Sequence, residues 1–418
     1  MATPLPPLEP ATAMEGDPLR PLRVAWFGHS RSRHGNGLAA YSRQTVAALR
    51  ARGVEVLFFA HREDRTSVRD RDDVQLRAVH FKTVTVSLPG SLDRIAAALD
   101  AFRPDVVHLS VSFSILDGAV ASLAKHRHIP AVATVHLPYI VSASTRARVL
   151  RELYRFHARR LARFDSVLAL SPTQRQLLID VGCAADRIVV IPNGVDTEGI
   201  TPGVSRLRAE LDATFVAVFL GRLDPEKRVT QLARSFVEQG WPDDHLLLIG
   251  GAGTQRRQLR RLSAQHPQVR LLGMIADDEA RLDLLRAADV FVLPSTAEGL
   301  SLSLLEAMSA GCAVVATDAG EDGAAIGDSG LVIPVYPLEP SLSQAMLRVH
   351  DDAALRRALG RRARARAQAS YSLRGNVDRL ESLYADLRNE AVAVGETAPR
   401  TSPGGPESTA AVIEATPI

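Results

Sequence analysis

Gly221-Arg222-Leu223-Asp224-Pro225-Glu226-Lys227 follows an apolar run that starts at Phe215, and it reads as a buried strand opening into a charged turn. A short, nearly unbroken apolar run closed by glycine and followed by an amphipathic stretch marks a strand–helix unit of a parallel sheet. The same unit recurs downstream, with strands expected at His245 to Gly250, Val269 to Gly273, Val290 to Pro294 and Ala313 to Thr317. Upstream it recurs at Leu22 to Gly28, Val54 to Ala60, Asp105 to Ser110, Ala131 to His136 and Ser166 to Ser171, with a helix from about Leu38 to Arg52. Strands alternating with helices predict an α/β fold of two doubly wound, Rossmann-like domains facing a central cleft.

Length agrees, because 418 residues exceed what one hydrophobic core supports. The expected division is a disordered segment 1–21, a first Rossmann-like domain 22–200 and a second 201–370. A helix 371–391 packs back on the first domain, and a tail 392–418 is disordered. Cys183 and Cys312 lie far apart with no ligand-like neighbours, which argues against a disulfide framework or a zinc site. No apolar run reaches a membrane span, and residues 1–21 lack the apolar core of a secretory signal, so a cytoplasmic location is expected.

Charge is uneven. Pro21 to Asp165 carries 23 Lys+Arg against 12 Asp+Glu, a net of +11, while Ser166 to Ile418 is about −6. Nucleic acid is disfavoured as a partner, because no aromatic interleaving accompanies the basic residues. An anionic acceptor, or the inner face of a membrane touched peripherally, fits better. The candidate surface is the arginine-lined helix Arg146, Arg148, Arg151, Arg155, Arg159, Arg160, Arg163; the plainer reading is a solvated face of an arginine-rich protein.

In open parallel sheets ligands sit beyond the carboxyl ends of strands. Arg222 and Lys227 lie at such an end, in a chain whose other lysines are only Lys82 and Lys125. A guanidinium fork and an ammonium suit a diphosphate, although a solvated turn has the same composition. Glu298-Gly299-Leu300-Ser301-Leu302-Ser303-Leu304-Leu305-Glu306 follows another strand, with seven residues between its carboxylates. Its helix start offers backbone amides to phosphate; an acidic residue favouring the helix dipole is the plainer account. Gly35-Asn36-Gly37 follows the first strand, and His136 ends the strand from Ala131. Asp70-Arg71-Asp72 matches an acidic metal-binding pair only formally, and it reads as solvated surface. No metal or other cofactor is expected.

The second half resembles the retaining GT-B glycosyltransferases called family 4. The resemblance rests on Gly221 to Lys227, on Ala288-Asp289-Val290-Phe291-Val292-Leu293-Pro294-Ser295, and on the two-glutamate segment through Met308. Val190-Ile191-Pro192-Asn193-Gly194-Val195-Asp196, Pro104-Asp105-Val106-Val107-His108 and Thr134-Val135-His136 are similar to further motifs, so the likeness spans about Leu22 to Asn389. It implies retaining transfer of a hexose-type sugar from a UDP- or GDP-sugar to a lipid, glycan or small-molecule acceptor, without metal. It also implies that Arg222 and Lys227 hold the diphosphate, Glu298 the sugar hydroxyls and Glu306 the ribose, while His136 meets the transferred sugar. Gly37, Gly221, Gly299, Leu300, Ser301 and Leu302 would line the donor. Three departures stand out: Asn36 replaces a glycine, Val54 a histidine, and Gly320-Glu321-Asp322-Gly323 interrupts a Gly-Gly-x-x-Glu pattern.

Competing readings are weaker on the residues. A dinucleotide oxidoreductase needs a Gly-x-Gly-x-x-Gly turn after the first strand, which is missing. A sugar phosphorylase on the same architecture would use a lysine for pyridoxal phosphate, and none is suitably placed. A sensing module would have lost Arg222, Lys227 or Glu298.

Overall fold

The computed structural model describes residues 20–28, 37–61, 73–76, 78–81, 84–87, 90–111, 115–136 and 145–397. The first half contains β1 (Arg23–Phe27), α1 (Gly37–Ala51), β2 (Glu55–His61), β3 (Asp73–Leu76), β4 (Ala78–Phe81), β5 (Val84–Ser87) and α2 (Ser91–Phe102). It continues with β6 (Val106–Val111), α3 (Ile115–Lys125), β7 (Ala131–Val135), α4 (Thr145–Leu161), β8 (Ser166–Ala169), α5 (Pro172–Asp180) and β9 (Ile188–Val190). The second half runs α6 (Arg206–Glu210), β10 (Phe215–Leu220), α7 (Val229–Glu238), β11 (His245–Gly250), α8 (Arg256–Gln265), β12 (Val269–Gly273), α9 (Asp278–Ala287) and β13 (Val290–Leu293). It ends with α10 (Leu302–Ser309), β14 (Ala313–Thr317), α11 (Asp322–Ile326), β15 (Leu331–Ile333), α12 (Glu339–Asp351), α13 (Ala353–Ser370) and α14 (Leu373–Thr397).

Two parallel sheets result, of seven strands in the order β3-β2-β1-β6-β7-β8-β9 and six in the order β12-β11-β10-β13-β14-β15. Every residue of β10, β11, β13 and β14 is buried, as helices on both faces require. Strand order reverses at β1/β6 in the first sheet and at β10/β13 in the second. Such a switch point opens a crevice, because successive crossovers leave on opposite faces. The segments after β10 and β13 flank the second crevice, and they are the segments carrying Arg222, Lys227 and Glu298.

The second half has one core, from Phe215 to Ala367 with Val195 joining it. The first sheet has a core on each face, and one of them incorporates Val377, Leu380, Tyr384 and Leu387 of α14. That helix therefore returns to the first sheet after the second half is complete. Tyr384 is fully buried, and its hydroxyl lies 2.5 Å from His108 Nδ1, while His108 Nε2 lies 2.7 Å from Thr134 Oγ1. Trp26 stacks on the same imidazole at 3.9 Å. Burial without an anionic partner pushes the His108 pKa down to about 3, so the ring is neutral.

Several differences from the sequence reading have local causes. β3, β9 and β15 have only three or four residues each, too few to show a period. The β4–β5 hairpin is equally short and pairs antiparallel outside the main sheet. The expected disordered tail from 392 is corrected, because α14 continues to Thr397, with no proline to stop it before Pro399. The remaining tail, residues 1–19, Gly35, Asn36 and Asp70-Arg71-Asp72 lie outside the described residues, as do the side chains of Arg146, Arg148 and Arg151.

Candidate donor site at the second switch point

The loop after β10 is shaped by one unusual residue. Arg228 adopts the left-handed conformation, φ 51°, which ends the turn Pro225–Lys227 and starts α7 in a new direction. A non-glycine residue in that region is strained and needs outside support. Its guanidinium donates to the Val335 carbonyl at 2.6 Å and lies 4.4 Å over the Tyr336 ring. Lys227 is thereby turned inward and buried, and its ammonium pairs with Glu298 from the loop after β13. Arg222 remains half exposed, with its fork held by Asp224 at 2.7 Å and Glu226 at 2.6 Å. Both cations are thus held by carboxylates at the crevice mouth.

The loop from Glu298 to Ser301 is fixed from below by the segment after β14. Gly320 has φ +62°, and a side chain there would strike the Glu298 carbonyl. Glu321 N–H donates to the Gly299 carbonyl at 2.8 Å, and Ser301 N–H donates to Asp322 Oδ1 at 2.9 Å. Asp322 is buried, and burial together with the nearby Glu298 charge pushes its carboxyl well above the usual range. Burial alone pushes Glu321 up to about 7. The departure Gly320-Glu321-Asp322-Gly323 therefore places two carboxyls with raised pKa under the crevice.

Lys227, Glu298, Gly299, Ser301 and Asp322 form one group. His136, directly after β7 of the first half, comes close, because a Cβ on Gly299 would lie 3.8 Å from the His136 carbonyl. Its ring stacks edge-on against Tyr41 at 4.4 Å. Leu300 is tied across the halves by Asn193 Nδ2, which donates to its carbonyl at 2.8 Å, and Leu302 packs against cores of both halves. Gly221 closes β10, with its N–H bonded to the Gly250 carbonyl at 3.0 Å. Glu306 has a different partner. It is buried inside α10, 3.3 Å from Arg281 Nε, and burial raises its pKa while Arg281 opposes the rise. Gly37 begins α1, with nothing within 4 Å of where a Cβ would stand.

Asp322, Arg281 and Asn193 were not chosen as site residues from sequence. Asp322 had a signal in the broken Gly-Gly-x-x-Glu pattern, and Asn193 in the motif before the linker; Arg281 had none. Among the described residues, no group of three or more His, Cys, Asp or Glu side chains gathers as a metal cage, and no helix is long and apolar enough to cross a membrane.

Comparison with known proteins agrees with this architecture. The model of Glycosyltransferase Family 4 matches residues 35–199, and that of Glycosyl transferases group 1 matches residues 214–352. A D-inositol 3-phosphate glycosyltransferase of Kineococcus radiotolerans is 31% identical over 386 residues, covering 79% of this chain and 86% of the relative. A GDP-mannose-dependent alpha-mannosyltransferase of Mycolicibacterium smegmatis is 31% identical over 78% of this chain and 88% of its own length. Sucrose-phosphate synthase from Thermosynechococcus elongatus shares the fold with TM-score 0.73 at 21% identity, covering 88% of this chain and 100% of that one. HepE of Anabaena, solved with UDP-glucose, does so with TM-score 0.68 at 19% identity, over 89% and 100% of the two chains. With family models matching both halves and paired Rossmann-like sheets meeting at the Lys227–Glu298 crevice, the chain belongs to the family 4, group 1 glycosyltransferases of GT-B fold.

Proposed function

We propose that the chain transfers a hexose from a UDP- or GDP-sugar with retention of anomeric configuration and without a metal ion. The observation that supports this best is the pair of cations at the β10/β13 crevice. When the bond from the anomeric carbon to the diphosphate breaks, negative charge gathers on the departing phosphate. Lys227, Arg222 and the amides opening α10 would face that charge, and fixed donors in a partly dry site would stabilise it strongly. In the structure Lys227 is held by Glu298 and Arg222 by Asp224 and Glu226. Donor phosphates would take over these cations, releasing Glu298 to accept from sugar hydroxyls. Glu306 would accept from the ribose, Gly37, Gly221 and Gly299 to Leu302 would line the donor, and His136 would contact the transferred sugar from the opposite half.

The acceptor is read as a lipid, glycan or small molecule carrying an anionic group. Two observations favour this: Pro21 to Asp165 has a net charge of +11, and similar proteins include enzymes named for inositol 3-phosphate and for a diphosphoundecaprenol-linked sugar. Weak docking on an anionic membrane face belongs to the same reading. Phe156 is 62% exposed on α4 beside Arg155, Arg159 and Arg160, an apolar tip among cations. The activity is tested by supplying a panel of UDP- and GDP-hexoses in excess EDTA, with inositol phosphates and polyprenyl phosphates as acceptors. Turnover of one donor–acceptor pair is expected; turnover only on adding magnesium or manganese overturns the metal-free part.

A further inference from the structure

One peptide unit at the edge of the donor crevice is gripped from both sides. Asn193 Nδ2 donates to the Leu300 carbonyl at 2.8 Å, and Ser301 N–H donates to Asp322 Oδ1 at 2.9 Å. That carbonyl and that N–H belong to the same trans peptide, in which they point opposite ways. The two grips therefore fix the rotation of the peptide plane directly before α10. Ser301 precedes that helix without capping it: its side chain accepts from no amide, and its hydroxyl lies 3.3 Å from that of Ser303. The first amides of α10, from Leu302 to Leu304, are thereby left open to a ligand, and their direction follows from the gripped peptide.

Asp322 is 1% exposed, yet its second oxygen, Oδ2, has no hydrogen-bond partner among the described residues. Its surroundings do not favour an anion. Lys227 is the cation that acts on it, and that ammonium is already paired with Glu298. Glu298 and Glu321 both add negative charge beside it. Asp318 lies behind Gly323, where a Cβ would strike its Oδ1. On the α13 side, Tyr371 is near both Glu321 and Asp322, while Arg366 spends its guanidinium on the Ala325 and Ala324 carbonyls at 2.6 and 2.8 Å. An ionised carboxylate would therefore bury a charged oxygen without a donor, a costly arrangement for any polar atom. A neutral acid keeps a carbonyl oxygen for Ser301 N–H and carries its proton on Oδ2. Burial and the Glu298 charge push the Asp322 carboxyl the same way, well above the usual range.

We propose that Asp322 is a positioning residue for donor binding and that it works as a neutral acid. It holds the Leu300–Ser301 peptide so that the α10 amides face the donor diphosphate. This role, which rests on the nucleotide-sugar reading above, makes donor binding sensitive to pH. Ionisation of Asp322 places a further negative charge under a crevice that has to accept a diphosphate, and like charges oppose each other there. The bound diphosphate in turn favours the protonated acid, so Asp322 releases its proton at a higher pH with donor bound than without. Affinity is therefore full below the pKa of the free site and falls as pH rises above it. Asp322 stands where the Gly-Gly-x-x-Glu pattern is broken, so the control belongs to this chain's own departure.

The test measures UDP and GDP affinity of the full chain by calorimetry from about pH 5.5 to 9.5, for wild type, Asp322→Asn, Asp322→Ala and Glu321→Gln. Wild type should bind one of the two nucleotides and weaken as pH rises, by up to about tenfold per pH unit for one linked proton. Asp322→Ala drops the Ser301 N–H and should weaken binding roughly tenfold at the low end of the range. Asp322→Asn restores an oxygen for that N–H and cannot ionise, so it should recover the affinity and lose the pH dependence. Dividing one chain's affinity by the other's cancels the titration of the nucleotide phosphate. Glu321→Gln should retain a slope; if that variant becomes flat, the proton belongs to Glu321 and the proposal falls. Parallel profiles for wild type and Asp322→Asn overturn it, as does weaker binding by Asp322→Asn at every pH, because the ionised form is then the working one. Failure of the folded wild type to bind either nucleotide at any pH overturns the nucleotide-sugar reading, and the role of Asp322 with it.

Discussion

Lys227 and Arg222 are asked to do the same electrostatic task from different surroundings. Lys227 is buried against Glu298, and Arg222 is half exposed between Asp224 and Glu226. Replacing either with alanine should lower kcat by roughly a hundredfold or more, the effect of removing a preorganised donor from developing charge. Near-normal turnover in a folded double variant removes both from the chemistry. Glu321 offers a prediction of another kind. Its carboxyl is held up to about 7 by burial, so between about pH 4.5 and 7 the folded chain keeps a proton that the unfolded chain releases. Stability from this group is present below the lower value and is lost as pH rises through the higher one. Glu321→Gln should flatten that part of a stability–pH profile measured by denaturant midpoint; an unchanged slope contradicts the raised value. The strand-end loops bearing Lys227 and Glu298 were legible in sequence, because glycine and charge directly after an apolar run mark where a parallel strand stops. The partners of those side chains were not. Asp322 reaches Ser301, and Arg281 reaches Glu306, through contacts between elements far apart in sequence, which periodicity does not encode.

Among the elements, the long apolar strands declared themselves, since burial on both faces leaves unbroken runs such as Phe215–Leu220 and His245–Gly250. Three-residue strands at the sheet edges carry no such pattern and emerge only from pairing with a neighbour, as Leu331–Ile333 does with β14. The C-terminal helix shows what tertiary packing adds. Its buried apolar residues are Val377, Leu380, Tyr384 and Leu387, at helical spacing, and they complete a core whose other buried members all belong to the first half. Tyr384→Phe tests that attachment with little change of volume. It leaves the buried His108 Nδ1 without its hydroxyl partner, which should cost about 1–3 kcal/mol in urea unfolding. A midpoint equal to wild type would show that the contact contributes nothing.

Across the whole molecule, the halves are joined by two chain crossings that run side by side. Val195 N–H bonds to the Tyr371 carbonyl at 2.9 Å, and Leu373 N–H bonds to the Val195 carbonyl at 2.8 Å. Gly194 lets them approach, because a Cβ there would lie 2.8 Å from Leu373 Cα and 2.7 Å from Asn376 Nδ2. A narrow double crossing is the usual build of a hinge, and residues of both halves line the crevice. Donor binding should therefore compact the molecule in small-angle scattering, with Gly194→Ala reducing the change; identical profiles at saturating donor contradict closure. If the basic first half docks on lipid, vesicles containing anionic lipid should sediment more protein than neutral ones, and less as salt rises. Equal sedimentation at low salt removes the membrane and leaves a free acceptor. The central proposal is a retaining transfer whose leaving group is stabilised by Lys227 and Arg222. That is tested most directly by proton NMR of the glycoside formed from an α-linked nucleotide-hexose in excess EDTA, read at the anomeric proton. An α-linked product is the expected result, and a β-linked product, or no transfer from any UDP- or GDP-hexose, contradicts it.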